Sequence, residues 1–265
     1  MAVKKNKLKV AIIALTSCEG CQFVLLDKGK RFFDWLKQVD LEEFRLIEDK
    51  PMPEGNYDLC IVEGTPITKA NVELLQEMRR RSKLLVVLGN CAALGGVWEI
   101  KNYRLKAKTI RQVYKQNSAV ENPTIKEVDN FVKVDLTIPG CPINGDEALE
   151  ALTQLLAGRI MKLPQNPVCN ECQSHGYQCL LQKGEICLGP ITLGGCQAIC
   201  LKSKQACWGC RGLFEGAQIT NFLTYLKKHF TLEQINQTME VFGFKDQLSS
   251  ALSAIKDNKK SKHSK

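Results

Sequence analysis

Cysteine constrains this chain more than any other residue. Thirteen of its 265 residues are cysteines: Cys18, Cys21, Cys60, Cys91, Cys141, Cys169, Cys172, Cys179, Cys187, Cys196, Cys200, Cys207 and Cys210. Eight crowd into residues 169–210, and five are spread over the 168 residues before them. A reducing compartment keeps such thiols free, so this abundance points to bound metal and away from disulfides. The step in cysteine density divides the chain into residues 1–162, residues 163–255 and a lysine-rich tail, 256–265, expected to be disordered.

Before that step, apolar runs alternate with helical patterns. Residues 9–15, 57–62, 84–88 and 131–138 read as strands, with a further short strand at 45–47. Residues 22–39 read as one helix carrying Phe23, Leu26, Phe33 and Leu36 on its apolar face. Two more helices are expected at 68–80 and 146–157, the second closed by Gly158. Apolar strands separated by helices imply a parallel sheet covered on both faces, so the first 162 residues are expected to form a doubly wound α/β domain. From 163 to 212 the periodicity gives way to Gly, Pro and Cys. Such a segment buries too little apolar surface to fold unaided, and bound metal is expected to hold it. Helices return at 217–229 and within 232–255.

The thiols of the first domain fall in a pattern. Cys18 and Cys21 follow the first strand, Cys91 follows the strand at 84–88, and Cys141 follows the strand ending at 138. Open parallel sheets bind their ligands beyond the carboxyl ends of the strands, so four thiols from three strand ends should converge on one edge. Cys60 lies inside its strand and reads as a small buried hydrophobe. The remaining eight make two further sets of four in chain order: Cys169, Cys172, Cys179 and Cys187, then Cys196, Cys200, Cys207 and Cys210. Gly194, Gly195 and Gly209 are expected to bring backbone N–H groups close to inorganic sulfide. Four thiolates suit zinc or an iron–sulfur cluster, and spacing alone does not separate them. Ligands gathered from three strand ends of a large sheet are less typical of structural zinc, which favours iron–sulfur. Three clusters in one chain suggest an electron conduit.

Other chemistry is sparse. His175, His229 and His263 are the only histidines, and with the thiols already forming complete sets they read as surface or packing residues. Glu19 and Glu63 are candidates for moving protons near the first thiol set. Trp98 and Trp208 are candidates for shielding clusters from water. The chain has no Gly-x-Gly-x-x-Gly, Walker or Gly-x-Ser-x-Gly motif. Of its net charge of +9, eight come from Lys4, Lys5, Lys7, Lys9 and the tail. A folded body so close to neutral argues against a nucleic-acid groove. No apolar run approaches the roughly 20 residues of a membrane span. With neither a secretory nor a twin-arginine signal visible, the cytoplasm is the expected location.

Taken together, Thr16-Ser-Cys-Glu-Gly-Cys-Gln22, Val62-Glu-Gly64, Gly89-Asn-Cys91 and Pro139-Gly-Cys-Pro142 resemble the small subunit of [NiFe]-hydrogenases. Cys187-Leu-Gly-Pro190, Gly194-Gly-Cys196 and Cys207-Trp-Gly-Cys210 extend that resemblance to about residue 212. Within the family the chain looks most similar to the cytosolic branch of methyl-viologen-reducing and F420-reducing hydrogenases and sulfhydrogenase delta subunits. The resemblance implies a flavodoxin-like first domain with a proximal [4Fe–4S] cluster on Cys18, Cys21, Cys91 and Cys141. It further implies a distal cluster on Cys169, Cys172, Cys179 and Cys187, and a medial one on Cys196, Cys200, Cys207 and Cys210. Exported relatives commonly carry His where Cys169 stands, and proline in place of a fourth medial thiolate, where Cys200 stands. Three [4Fe–4S] clusters with all-thiolate ligation, and hence low potentials, are therefore expected. The Ni–Fe centre would belong to a separate large subunit, and electrons would leave to a flavin- or iron–sulfur-containing acceptor subunit. A related respiratory quinone-reductase subunit shares the proximal-cluster domain but generally lacks the later clusters. A zinc-stapled scaffold or nucleic-acid-binding protein is the alternative from another class.

Overall fold

Successive side chains of an extended strand point to opposite faces, and in β1 (Leu8–Ala14) both faces are apolar. The other strands in this computed structural model are β2 (Val39–Phe44), β3 (Tyr57–Glu63), β4 (Ser82–Leu88) and β5 (Leu136–Ile138). The residues described are 7–49, 52–114, 120 and 123–249. All neighbouring strands pair parallel in the order β2-β1-β3-β4-β5, the flavodoxin-like order of a doubly wound sheet.

Helices cover both faces. The first helical region comprises α1 (Gly20–Asp27) and α2 (Lys30–Leu36); α3 (Lys69–Arg81), α4 (Gly89–Leu94), α5 (Lys106–Val113) and α6 (Gly145–Leu156) follow. Val10, Ile12, Leu59, Ile61, Val86 and Leu88 pack with Leu25, Phe32, Leu149 and Leu152 of α1, α2 and α6. The alternate residues Ala11, Ile13, Val62, Leu85 and Val87 pack with Leu75 and Met78 of α3. Cys60 belongs to this second core, fully buried. Thr68 caps α3, its hydroxyl accepting from the Asn71 N–H while the Asn71 side chain accepts from the Thr68 N–H, so this helix starts where its sequence places it.

Three expectations need correction. The helix expected over 22–39 is two helices, interrupted at Gly29 with φ +52, and Val39 already opens β2. Phe23 and Phe33, expected on its buried face, are each half exposed, because α1 turns Cys21, Gln22 and Leu25 inward. Residues 45–47 form a turn in place of a strand, with the Ile47 N–H bonded to the Phe44 carbonyl. Of the strand expected at 131–138, only Leu136–Ile138 pairs with β4. The Val128 carbonyl takes the N–H groups of both Phe131 and Val132, which curls that stretch away from the ladder.

Contacts divide the chain into two compact units, Met1–Lys162 and Leu163–Lys265. The second unit is irregular through its cysteine-rich part, with α7 (Val168–Ser174), α8 (Ile199–Lys202), α9 (Ile219–His229) and α10 (Leu232–Glu240). Leu188 and Ile191 pack with Phe222, Leu226, Met239 and Phe244 of the helical end. His263 and the tail at 256–265 lie outside the described residues, as does the end of the helical stretch expected at 232–255.

Candidate metal centres

β1, β4 and β5 end on the same edge of the sheet, and their following residues surround one hollow of about 130 Å³. Cys18, Cys21, Cys91 and Cys141 all line it, together with Glu63, Gly89, Asn90 and Gly140. By comparison, one water needs roughly 10–15 Å³. Among the described residues, no three His, Cys, Asp or Glu side chains close around a point as a single metal ion requires. The four thiols line the hollow together. Cys21 is buried, Cys91 half-buried, and Cys18 and Cys141 exposed.

Backbone approach at this hollow requires glycine. At Gly89, φ is +82, and a Cβ would lie 2.4 Å from the Cys21 sulfur. At Gly96, φ is +67, and a Cβ would lie 2.8 Å from the Cys91 sulfur. Burial, reinforced by neighbouring thiols, pushes the Cys91 thiol up to about 12, with a hydrogen bond from the Trp98 side chain opposing it. Burial and the Glu63 charge raise Cys21 further, against an N–H from Ile143. In their ionised forms these neighbouring thiols would repel one another, and a cation bound among them would relieve that repulsion.

Glu63 has a definite structural task. Its two carboxylate oxygens accept the N–H groups of Cys21 and Gln22, each at 3.1 Å. The residue preceding α1, Glu19, has φ +59 and makes no side-chain cap, so Glu63 caps this helix from the end of β3. Glu19 does not line the thiol hollow but faces a neighbouring cavity. Thr65, fully buried, donates its hydroxyl to the carbonyls of Cys91 and Gly95 and so ties the β4 loop to β3. Nothing in the sequence pattern singled out Thr65; its position two residues beyond a strand end is the only signal.

In the second unit, Cys169 interacts electrostatically with Cys187, Cys172 and Cys179, and burial together with these thiols pushes it up to about 12. Cys172 and Cys187 are raised in the same way. The Cys207 N–H donates to the Cys187 sulfur at 3.3 Å, so the two thiol sets adjoin. Cys196 interacts with Cys200, and Cys207 with Cys210. Burial raises Cys196, Cys200 and Cys207.

Glu171, between Cys169 and Cys172, was missed by sequence reasoning. Its carboxylate accepts the Gly195 N–H at 2.6 Å and the Ala198 N–H at 3.1 Å, and the Cys196 thiol donates to it at 3.7 Å. It thereby holds the left-handed turn of Gly195, Gln197 and Ala198. The expected role of the glycines changes accordingly. Gly194 gives its N–H to the Asn166 carbonyl and Gly195 to Glu171, so neither N–H is free for sulfide. Gly209 is required by close packing on the Phe244 ring, where a Cβ would lie 2.6 Å away, and its N–H bonds the Cys207 sulfur. Buried Arg211 donates to the Gly194 carbonyl at 2.8 Å. His175 stacks on Tyr177, and His229 lies against Tyr225. Trp208 is partly exposed in an open hollow shared with Phe230.

The sheet has flavodoxin-like strand order, and four thiols gather at its strand ends. Residues 18–155 match the family model described as "NADH ubiquinone oxidoreductase, 20 Kd subunit". The sulfhydrogenase 2 delta subunit of Pyrococcus furiosus is 34% identical over 240 residues, covering 89% of this chain and 99% of that protein. A subunit of the vhu F420-non-reducing hydrogenase of Methanocaldococcus jannaschii is 33% identical, covering 77% of this chain and 82% of that one. A chain of an NAD+-reducing [NiFe]-hydrogenase superimposes with a TM-score of 0.53 at 26% identity, over 60% of this chain and 96% of the other. The chain belongs to the NADH ubiquinone oxidoreductase 20 Kd subunit family, and its similarity to hydrogenase subunits runs well past residue 155 into the cysteine-rich unit. Among the described residues no helix is long and apolar enough to cross a membrane.

Proposed function

We propose that this chain is the electron-transfer small subunit of a [NiFe]-hydrogenase. Its twelve grouped cysteines would hold three [4Fe–4S] clusters that relay electrons between the Ni–Fe site of a separate large subunit and a flavin- or iron–sulfur-containing acceptor subunit. The observation that carries this reading is the single hollow lined by Cys18, Cys21, Cys91 and Cys141, in a chain whose relatives are hydrogenase subunits over nearly their whole length. The residues fit such a body: four thiols line one hollow, and glycine at 89 and 96 lets the Cys21 and Cys91 sulfurs keep places that a Cβ would crowd.

When bound, each cluster supplies a one-electron redox site. The protein's own part is placement, charge and exclusion of water. Glu63 fixes the first turn of α1 and with it Cys21. Thr65 fixes the loop carrying Cys91. N–H groups aimed at the sulfurs of Cys21, Cys187, Cys196 and Cys207 favour their thiolate forms. Exposure of Cys18 and Cys141 leaves one side of the proximal centre open to a partner. Val97 and Trp98, both substantially exposed, follow Cys91 closely in the chain and would add apolar contact there.

The quinone-reductase reading draws on the family match over 18–155, but it leaves the eight cysteines beyond residue 155 without a role. To test the division of labour, the chain is expressed with its assembly machinery, and H₂-dependent viologen reduction is measured with and without a [NiFe] large subunit. Activity is expected only with the large subunit. Turnover by the chain alone overturns the assignment.

A further inference from the structure

We propose that Glu171 is a positioning residue that ties together the two thiol sets of the second unit, so that their clusters are loaded and lost as one. The proposal rests on the cluster reading above. Glu171 stands in α7 between Cys169 and Cys172 of one set, yet its carboxylate serves the other. One oxygen accepts the Gly195 N–H and the other accepts the Ala198 N–H. Neither bond uses the Cys196 thiol proton, so neither is lost when that sulfur becomes a thiolate ligand.

The turn that Glu171 holds does not hold itself. Gly195, Gln197 and Ala198 have φ of +109, +58 and +48, and the last two are side chains disfavoured there. Its further fixings also come from outside: the Gly194 N–H bonds the Asn166 carbonyl just ahead of α7, and Arg211 donates to the Gly194 carbonyl. α7 is no more independent. At seven residues it falls well short of the roughly 12–15 that an isolated helix needs in water. Thiolates at Cys169 and Cys172 on one cluster would fix it. The first set thus orders α7, α7 places Glu171, and Glu171 shapes the turn that carries Cys196.

Ties run the other way as well. The Cys207 N–H donates to the Cys187 sulfur at 3.3 Å, and the Cys207 carbonyl accepts the Leu188 N–H at 2.8 Å. A Cβ at Gly189 would lie 3.3 Å from the Cys169 sulfur, 3.6 Å from the Cys187 sulfur and 3.8 Å from the Cys207 Cβ, so both sets crowd one point of backbone. Cys172 and Cys187 of the first set share a small buried core with Cys207 of the second, beside Val168, Leu180 and Leu201. So small an apolar core leaves the ordering of these loops to the metal. Loss of either cluster therefore loosens the ligands of the other.

The test counts iron in anaerobically isolated full-length chains and reads the clusters by EPR. One double variant, Cys200→Ala with Cys210→Ala, removes two ligands of the second set; another, Cys172→Ala with Cys179→Ala, removes two of the first. Each is expected to keep about four irons, those of the proximal cluster, where independent sites would keep about eight. Glu171→Ala, with every thiol intact, is expected to keep about four as well. Glu171→Gln, which retains one acceptor at the same reach, is expected to restore about twelve. A loading series needs no change in the second unit: with Cys18→Ala and Cys141→Ala removing the proximal site, native mass spectrometry of partly loaded chain should show zero and about eight irons, with little at four. About eight irons in either double variant, a full complement in Glu171→Ala, or a prominent four-iron species in the loading series overturns the coupling. If the unaltered chain still holds about twelve irons, the relay reading survives that result. Markedly fewer than about twelve in the unaltered chain overturns the relay reading, and the coupling with it.

Discussion

Replacing Gly89 by alanine tests the proximal centre through one atom. The new Cβ would sit 2.4 Å from the Cys21 sulfur. Ordinary carbon contacts lie at about 3.5–4.0 Å, so the sulfur must retreat by about 1 Å. Ligand positions in metal sites tolerate only about ±0.2 Å, and the required shift is several times larger. The residue also keeps φ near +82, which costs an L-residue about 1–2 kcal/mol. That cost is small beside a typical stability of about 5–15 kcal/mol, so the protein still folds while losing one thiolate from its place. Of about twelve irons expected for three [4Fe–4S] clusters, the G89A chain should retain about eight. Iron analysis and low-temperature EPR of anaerobically purified protein read the change. A full iron complement with an unaltered spectrum would refute the placement of Cys21 as a ligand.

Three further outcomes are expected. Glu171→Gln removes a negative charge 3.7 Å from the Cys196 sulfur; at an effective dielectric near 20 the interaction with a unit charge there is at most about 4.5 kcal/mol. At about 2.3 kcal/mol per 100 mV this bounds the effect at about 200 mV, and an upward shift of one cluster potential by several tens of millivolts is expected in EPR-monitored redox titration. Cys60→Ala should leave iron content unchanged and lower stability by about 1 kcal/mol, as urea unfolding would read; loss of iron would mark Cys60 as a ligand. In the cluster-free chain, burial pushes the thiols of Cys60, Cys91 and Cys169 from 9.0 up to about 12. Their folded forms therefore prefer the neutral thiol, so stability is fully present below about pH 9 and is lost as pH rises toward 12. Thermal unfolding of the cluster-free chain across pH 8–11 should show that decline. A melting temperature that rises over this range contradicts it.

The strongest elements were legible because local sequence and tertiary position agree in them. β1, β3 and β4 are apolar on both faces and lie inside the sheet, and the Thr68 cap announces α3. β2 was hidden because its Asp-Leu-Glu-Glu run at an edge is polar in sequence although Glu43 is buried, and such a run competes with helix. β5 is short because Phe131, Val132 and Val134 pack against the core from irregular backbone, and apolarity alone does not distinguish that from pairing. The grouping of Cys18, Cys21, Cys91 and Cys141 followed from strand ends alone, since parallel topology fixes where those ends meet. Glu63, Thr65 and Glu171 could not be assigned their roles this way. Each acts on backbone N–H or carbonyl groups at least 24 residues away, and such pairings exist only once the chain has folded. The inward turn of Glu43 depends on a one-residue irregularity between β1 and β2, which leaves no mark in composition.

Metal and acid-labile sulfide analysis of the anaerobically isolated chain, read with its visible spectrum, addresses the electron-relay claim most directly. About twelve irons and as many sulfides per chain, with the broad brown absorption of cubane clusters that bleaches on reduction, is the predicted result. Zinc in place of iron, or a colourless chain with about four irons or fewer, would contradict it.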